Sequence, residues 1–162
     1  MLFRSPVRID LATGQTQRLM ENDRFGDVLI DDEFKVRFAT EPTPDGGNVV
    51  YRNVEGDWQS WMTIGPDDAL TTGLASLTRD GSTLYLFDSR ERDTAALVAV
   101  DLATGARTVL HEDPRADLDD FMVDPRDGLT GATLVELFAW SEDELLRRTE
   151  GSPIRRIGHA RW

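Results

Sequence analysis

Two stretches of this chain are close copies of one another. Val7-Arg-Ile-Asp-Leu-Ala-Thr-Gly-Gln-Thr-Gln-Arg-Leu19 is echoed by Val98-Ala-Val-Asp-Leu-Ala-Thr-Gly-Ala-Arg-Thr-Val-Leu110, and the equivalent aspartates, Asp10 and Asp101, are 91 residues apart. Each copy reads as a strand, a tight Ala-Thr-Gly turn and a second strand. The spacing is that of two four-stranded propeller blades at roughly 40–45 residues each. A fold of this kind stacks sheets that cannot bury their own faces, so each unit depends on its neighbours.

Composition narrows the function classes. The chain has 162 residues, 40% hydrophobic and 30% charged, which suits a globular domain and opposes wholesale disorder. There are no cysteines, which excludes disulfides, thiolate metal sites and a cysteine nucleophile. A net charge of −12 repels phosphates, so neither nucleic acid nor an anionic membrane is an expected partner. No apolar run approaches the roughly 20 residues of a membrane span. Met1–Pro6 lacks the apolar core of a secretory signal, and a cytoplasmic location is the expectation. No cofactor-binding motif is present.

Period-2 patterning runs to about residue 138. Phe34, Val36 and Phe38 alternate with Lys35, Arg37 and Ala39 as a half-buried strand. Glu41–Gly47 is a turn, Asn48–Asn53 the return strand, and Glu55-Gly-Asp57 a turn leading to a strand through Trp58, Trp61 and Ile64, which makes three strands of one sheet. The next unit is a four-stranded meander: Leu74–Thr78, Thr83–Asp88, Ala95–Leu102 and Arg107–His111. A third unit opens with Leu118–Val123, turns at Asp124–Gly128 and continues through Ala132–Phe138. Ser141-Glu-Asp-Glu144 before Leu145-Leu-Arg-Arg148 is a capping box and predicts a short helix, followed by a basic tail.

The expected fold is therefore all-β: a partial β-propeller of two to three four-stranded antiparallel blades with a short C-terminal helix. The propeller occupies residues 1–138, with blade units at about 7–23, 34–68, 74–111 and 117–138, and the helix and tail occupy 139–162.

Ser89-Arg-Glu-Arg-Asp-Thr-Ala-Ala-Leu-Val-Ala-Val-Asp-Leu-Ala-Thr-Gly105 resembles the propeller domain of prolyl-oligopeptidase-family serine peptidases, in their acylaminoacyl-peptidase and dipeptidyl-aminopeptidase branch. Lys35-Val-Arg37, Pro44-Asp-Gly-Gly47, Trp58 and Asp124-Pro125 stand in the order that branch shows. The resemblance covers about residues 7–136 and implies a propeller that sits over an α/β-hydrolase domain and admits only small peptides. The chemistry of such enzymes belongs to the hydrolase domain, with a serine on a Gly-x-Ser-x-Gly elbow. The serines here, at positions 5, 60, 76, 82, 89, 141 and 152, lack that context. No catalytic residue carries over, and the chain departs from the family pattern after about Glu136.

Few residues offer a site. Arg90, Arg92 and Asp93 form a polar loop between two strands and are candidate contacts to substrate or a partner, against the simpler reading that Asp93 and Thr94 fix the turn. His111 lies beside Glu112 and Asp113, which suits a base, but no nucleophile is near in sequence and a surface strand-end histidine is the simpler reading. Asp113, Asp117, Asp119 and Asp120 would suit calcium but lack EF-hand spacing, and a solvated inter-blade loop is the plainer account. Trp58 and Trp61, three apart, belong to opposite strand faces, one in the core and one against a neighbouring blade or partner.

The functional expectation is a non-catalytic propeller segment, with no metal or cofactor, related to the gating domain of an oligopeptidase. Its partners would be an α/β-hydrolase domain, peptides, or further copies of itself through open blades. A stand-alone self-associating module and a truncated remnant remain the alternatives.

Overall fold

The computed structural model describes residues 4–118, 120–123 and 130–133, and every described element is a strand. Two four-stranded antiparallel meanders form the body of the chain. The first joins β3 (Asp27–Ile30), β4 (Val36–Pro42), β5 (Asn48–Val54) and β6 (Asp57–Ile64) in that order. The second joins β7 (Gly73–Leu77), β8 (Thr83–Asp88), β9 (Ala96–Asp101) and β10 (Arg107–His111). Hairpins flank them: β1 (Val7–Ile9) with β2 (Thr16–Arg18), and β11 (Phe121–Val123) with β12 (Thr130–Thr133). The fold is all-β and has the strand order of a partial β-propeller. The expected C-terminal helix and tail lie outside the described residues.

The duplicated segment proves to be a duplicated turn. Asp10 Oδ1 accepts the backbone N–H groups of Ala12 and Thr13, and Asp101 Oδ1 accepts those of Ala103 and Thr104. Gly14 and Gly105 both occupy the left-handed region, at φ 71° and 75°, where a β-carbon is disfavoured. The two copies differ in setting: β1–β2 forms a two-stranded sheet by itself, whereas β9–β10 is half of a four-stranded one. Hairpin β1–β2 precedes the first meander and β9–β10 closes the second, so the copies are offset by eight strands and six lie between them.

The sheets meet through one core. Phe38, Val50, Met62 and Ile64 of the first sheet lie against Leu84, Leu86, Ala96, Val98, Val100 and Leu102 of the second. Arg52 Nη1 also donates across the interface to the Leu102 carbonyl at 3.1 Å. The opposite face of the second sheet, through Tyr85 and Leu97, is covered by Leu118 and Phe121. Burial on both faces explains why β8 and β9 read as nearly continuous apolar runs. Leu84 and Leu86 point one way while Tyr85 and Phe87 point the other, as the alternation requires.

Bulges adjust this pattern. Along β5–β6 the register passes from Val50↔Met62 to Tyr51↔Ser60, leaving Trp61 as the extra residue. Trp61 and Met62 consequently both reach the inter-sheet core, Trp61 with its ring 5.3 Å from that of Phe38. Trp58 lies on the other face against Phe25, ring centroids 4.7 Å apart, so the two tryptophans do take opposite faces.

Two sequence expectations need correction. Phe34 is not in a strand: it sits in the β3–β4 turn at φ 62°, exposed, with the Arg8 guanidinium 4.2 Å above its ring. The turn is nucleated by Asp31, whose Oδ1 accepts the N–H groups of Glu33 and Lys35 and whose Oδ2 binds Arg37. The first meander also has four strands where three were expected. Asp27-Val-Leu-Ile30 is too short for an alternation to declare itself, and its pairing with β4 makes it a strand.

Candidate functional site

The second sheet carries a cluster of loops at one end. There β7 begins, β8 passes into residues 88–95, and β10 gives way to residues 112–118. All the sequence-nominated polar residues of this region fall in that cluster, and most are committed to one another.

Arg90 is clamped. Its Nε and Nη2 donate to the two carboxylate oxygens of Asp88 at 2.7 Å each, and Arg107 Nη1 donates to Asp88 Oδ2 at 3.3 Å. Burial alone would raise the Asp88 pKa, but the hydrogen bonds and charge of Arg90, with the charge of Arg107, outweigh it and hold the carboxyl below the usual range. The Asp88 hydrogen bond raises the Arg90 pKa in turn, with a further contribution from the Asp68 charge. Arg92 pairs with Glu112 at 2.9 Å. Glu91, at φ 62°, and Asp93 stand exposed between these two anchors. The loop is thus held at both ends and presents carboxylates at its tip.

The structure adds a hydroxyl cluster that the sequence did not announce. Ser89 Oγ lies 2.7 Å from Thr71 Oγ1 and 2.9 Å from Thr72 Oγ1, and donates to Asp68 Oδ1 at 2.9 Å. The Ser89 N–H donates to Thr72 Oγ1 at 2.9 Å. The two threonines therefore donate to Ser89 while it donates to the carboxylate. Every partner comes from 17 to 21 residues away, so no local motif marks the cluster. This hydroxyl is a structural hub that ties the β6–β7 connection to the β8–β9 loop. The Ser89 hydroxyl is 6% exposed, with its proton engaged by Asp68 and its lone pairs by the two threonines.

Beside the hub, Leu70, Thr71, Thr72, Gly73, Leu74, Phe87, Asp117 and Leu118 line a groove of about 300 Å³. Its walls mix apolar Leu74, Phe87 and Leu118 with polar Thr71, Thr72 and Asp117, and Leu70 is fully exposed. The acidic run below it serves the backbone. Asp117 Oδ1 accepts the Ala95 N–H at 2.7 Å, Asp113 Oδ1 accepts that of Arg115 at 2.8 Å, and Asp120 Oδ1 that of Phe121 at 2.8 Å. Asp119 lies outside the described residues. The three described aspartates point their oxygens into three different turns, and no cluster of three or more His, Asp or Glu groups among the described residues is placed to hold a metal ion. His111 ends β10, half-buried, and its charge helps lower the Asp113 pKa, mostly set by the Arg115 hydrogen bond.

Comparison with known proteins gives two different likenesses. Over 131 residues, 80% of this chain, the sequence is 40% identical to dipeptidyl aminopeptidase BIII of Pseudoxanthomonas mexicana. Over 48 residues, 30% of this chain, it is 62% identical to an epoxyqueuosine reductase of Xanthomonas campestris pv. campestris, and over 38 residues 63% identical to that of Escherichia coli. The chain spans about a fifth of the aminopeptidase, 19%, and 13% and 10% of the two reductases. No family model and no solved structure matches it. The chain is thus similar to a dipeptidyl aminopeptidase over most of its length and to a reductase over a short stretch.

Proposed function

We propose that the sheets of this chain are a non-catalytic segment of a β-propeller of the prolyl-oligopeptidase type, whose work in a complete enzyme is to restrict which peptides reach a hydrolase domain. The observation that carries this reading is the 40% identity to a dipeptidyl aminopeptidase across 80% of the chain, joined to a fold of four-stranded meanders. In this reading an α/β-hydrolase domain outside these residues supplies the nucleophile. The loop of Arg90, Arg92 and Asp93 faces substrate or that domain, with its arginines fixed by Asp88 and Glu112 and its exposed carboxylates, Glu91 and Asp93, offered to a cationic group such as a peptide amino terminus. A fluorogenic dipeptide substrate tests it: the purified chain shows no turnover above buffer, and turnover abolished by a serine-reactive phosphonate overturns the claim.

The reductase likeness favours a second reading, a composite remnant. Two unrelated enzymes each match a part of the chain, and neither is matched over more than 19% of its length. The patterning of the sequence also changes from period 2 to a capped helical pattern near residue 139. Trypsin would release Asp127–Arg147, which spans that change. Detecting this peptide by mass spectrometry in cells that make the chain supports translation as one product. Finding peptides from residues 38–107 without it counts against that.

A further inference from the structure

We propose that two copies of this chain join head to tail, hairpin β11–β12 of one completing a blade with hairpin β1–β2 of the other. The inference rests on the propeller reading of the sheets and names a partner for their open edges. It begins with the duplicated turn. Val7 and Ile9 of β1 correspond to Val98 and Val100 of β9, but their surroundings differ. Val98 and Val100 are 3% and 2% exposed, whereas Val7 and Ile9 are 52% and 54% exposed. Val98 and Val100 belong to the inter-sheet core and have an edge neighbour, whereas Val7 and Ile9 are outside that core. β9 is paired along its second edge by β8, with Leu84 opposite Val100 and Leu86 opposite Val98. Among the described residues β1 has no partner but β2.

The backbone of β1 is arranged to accept a further strand. Leu19 N–H donates to Pro6 O, and Asp10 N–H donates to Gln15 O, both at 2.9 Å. Even-numbered residues thus turn their amide groups toward β2, and the alternation of an antiparallel ladder turns those of Val7 and Ile9 to the free edge. Such an edge is a template for another chain.

The occupant is indicated by the other end of the chain. β11–β12 follows a complete four-stranded sheet, so it holds the place of β7–β8, the first two strands of a blade. The sequence agrees: Arg79-Asp-Gly81 precedes β8, and Arg126-Asp-Gly128 precedes β12. β1–β2 holds the place of the last two strands. The two halves are complementary, and the twelve strands among the described residues of each chain make two copies sufficient for six four-stranded blades, within the usual four to eight of a closed propeller. Charge favours the same pairing. In a chain of net charge −12, residues 1–20 carry Arg4, Arg8 and Arg18 against Asp10, a surplus of two positive charges. Residues 117–136 carry Asp117, Asp119, Asp120, Asp124, Asp127 and Glu136 against Arg126, a surplus of five negative.

Sedimentation of the full chain should show a species of twice 18.2 kDa that loosens as salt is raised. Ile9→Pro removes an outward amide without touching the β1–β2 bonds and should give a monomer. Val109→Asp, on an exposed residue of the other edge strand β10, should leave the dimer intact. The chain has no cysteine, so contact at the seam is directly readable. The β8–β9 register places Thr133 opposite Val7, and a mixture of Val7→Cys and Thr133→Cys chains should form a covalent dimer on oxidation that neither forms alone. This mixing also decides the matter if Ile9→Pro fails to fold. A monomer with a cooperative β-sheet melt overturns the pairing and leaves the propeller reading standing. Dissolution of the dimer by Val109→Asp rather than Ile9→Pro also overturns it, and a chain with no cooperative melt overturns both.

Discussion

Replacing Asp88 with asparagine tests whether the loop cluster is held by charge. The Asp88 side chain is 10% exposed and accepts two 2.7 Å bonds from Arg90 and a 3.3 Å bond from Arg107. Asparagine removes the charge and turns an NH2 group toward a guanidinium. Breaking a buried ion pair from one side costs about 3–5 kcal/mol. The low end applies here, because Arg90 is 21% exposed and recruits some water, while Arg107 at 46% exposed contributes only the ~0–1 kcal/mol of a surface pair. The expected loss is about 3 kcal/mol, which at ~2–4 °C per kcal/mol for a chain of this size lowers Tm by roughly 6–12 °C. Urea titration followed by fluorescence of Trp58 and Trp61 measures it. The pH dependence has a definite sign. A carboxyl whose folded pKa is lowered stabilises fully above its unfolded value, near ~3.9, and loses that contribution as pH falls through the lower folded value. The gap between parent and variant should therefore be constant from neutrality to about pH 5 and close below about pH 4. Pairing Asp88→Asn with Arg90→Met should show a coupling of about 2 kcal/mol. A variant within about 0.5 kcal/mol of the parent, or independent effects of the two changes, would refute the reasoning.

Two further perturbations separate backbone conformation from space and local bonding from burial. A β-carbon at Gly105 meets nothing within 4 Å, so Gly105→Ala costs only the left-handed backbone, about 1–2 kcal/mol; at Gly47 it would lie 2.5 Å from the Ile64 carbonyl oxygen, and Gly47→Ala should cost more, about 3 kcal/mol, in the same urea titration. Asp80 is fully exposed, yet hydrogen bonds from the Thr78 hydroxyl and from Ser82 lower its pKa to about 2, so its carboxyl NMR titration should begin well below those of other surface aspartates and move back toward 3.8 in Thr78→Ala.

The fold was readable where chemistry is local. Asp10 and Asp101 fold their turns with bonds inside five residues, and the boundaries Thr83–Asp88 and Arg107–His111 fall where Gly and Asp clusters place them. Reading failed where a bond that the alternation does not show decides, whether its partner is near or far in sequence. Phe34 fits the alternation of β4, but the Asp31 carboxylate claims the Glu33 and Lys35 amides and puts Phe34 in the turn. β3 is a strand only because β4 pairs with it. In the site, Arg90, Arg92 and Asp93 were visible as a polar loop, but the Ser89 hub joins residues from two connections that no spacing rule links.

The twin hairpins isolate what a neighbour contributes. Their turns share the aspartate bonds, the glycine φ and the backbone closure, so the local code is satisfied equally at both. Their valine and isoleucine side chains nevertheless differ by about fifty percentage points in exposure, because Val98 and Val100 have β8 beside them and the first sheet against their face. The hairpin forms from its own sequence, whereas the blade forms only when a second hairpin arrives. The same dependence governs function. The Arg90–Asp93 loop owes its anchoring to Asp88 and Glu112, both set by complete strands of the second sheet, so it is already shaped. The β1–β2 hairpin has no third strand among the described residues, and in the proposed pairing it gains one when the blade is filled.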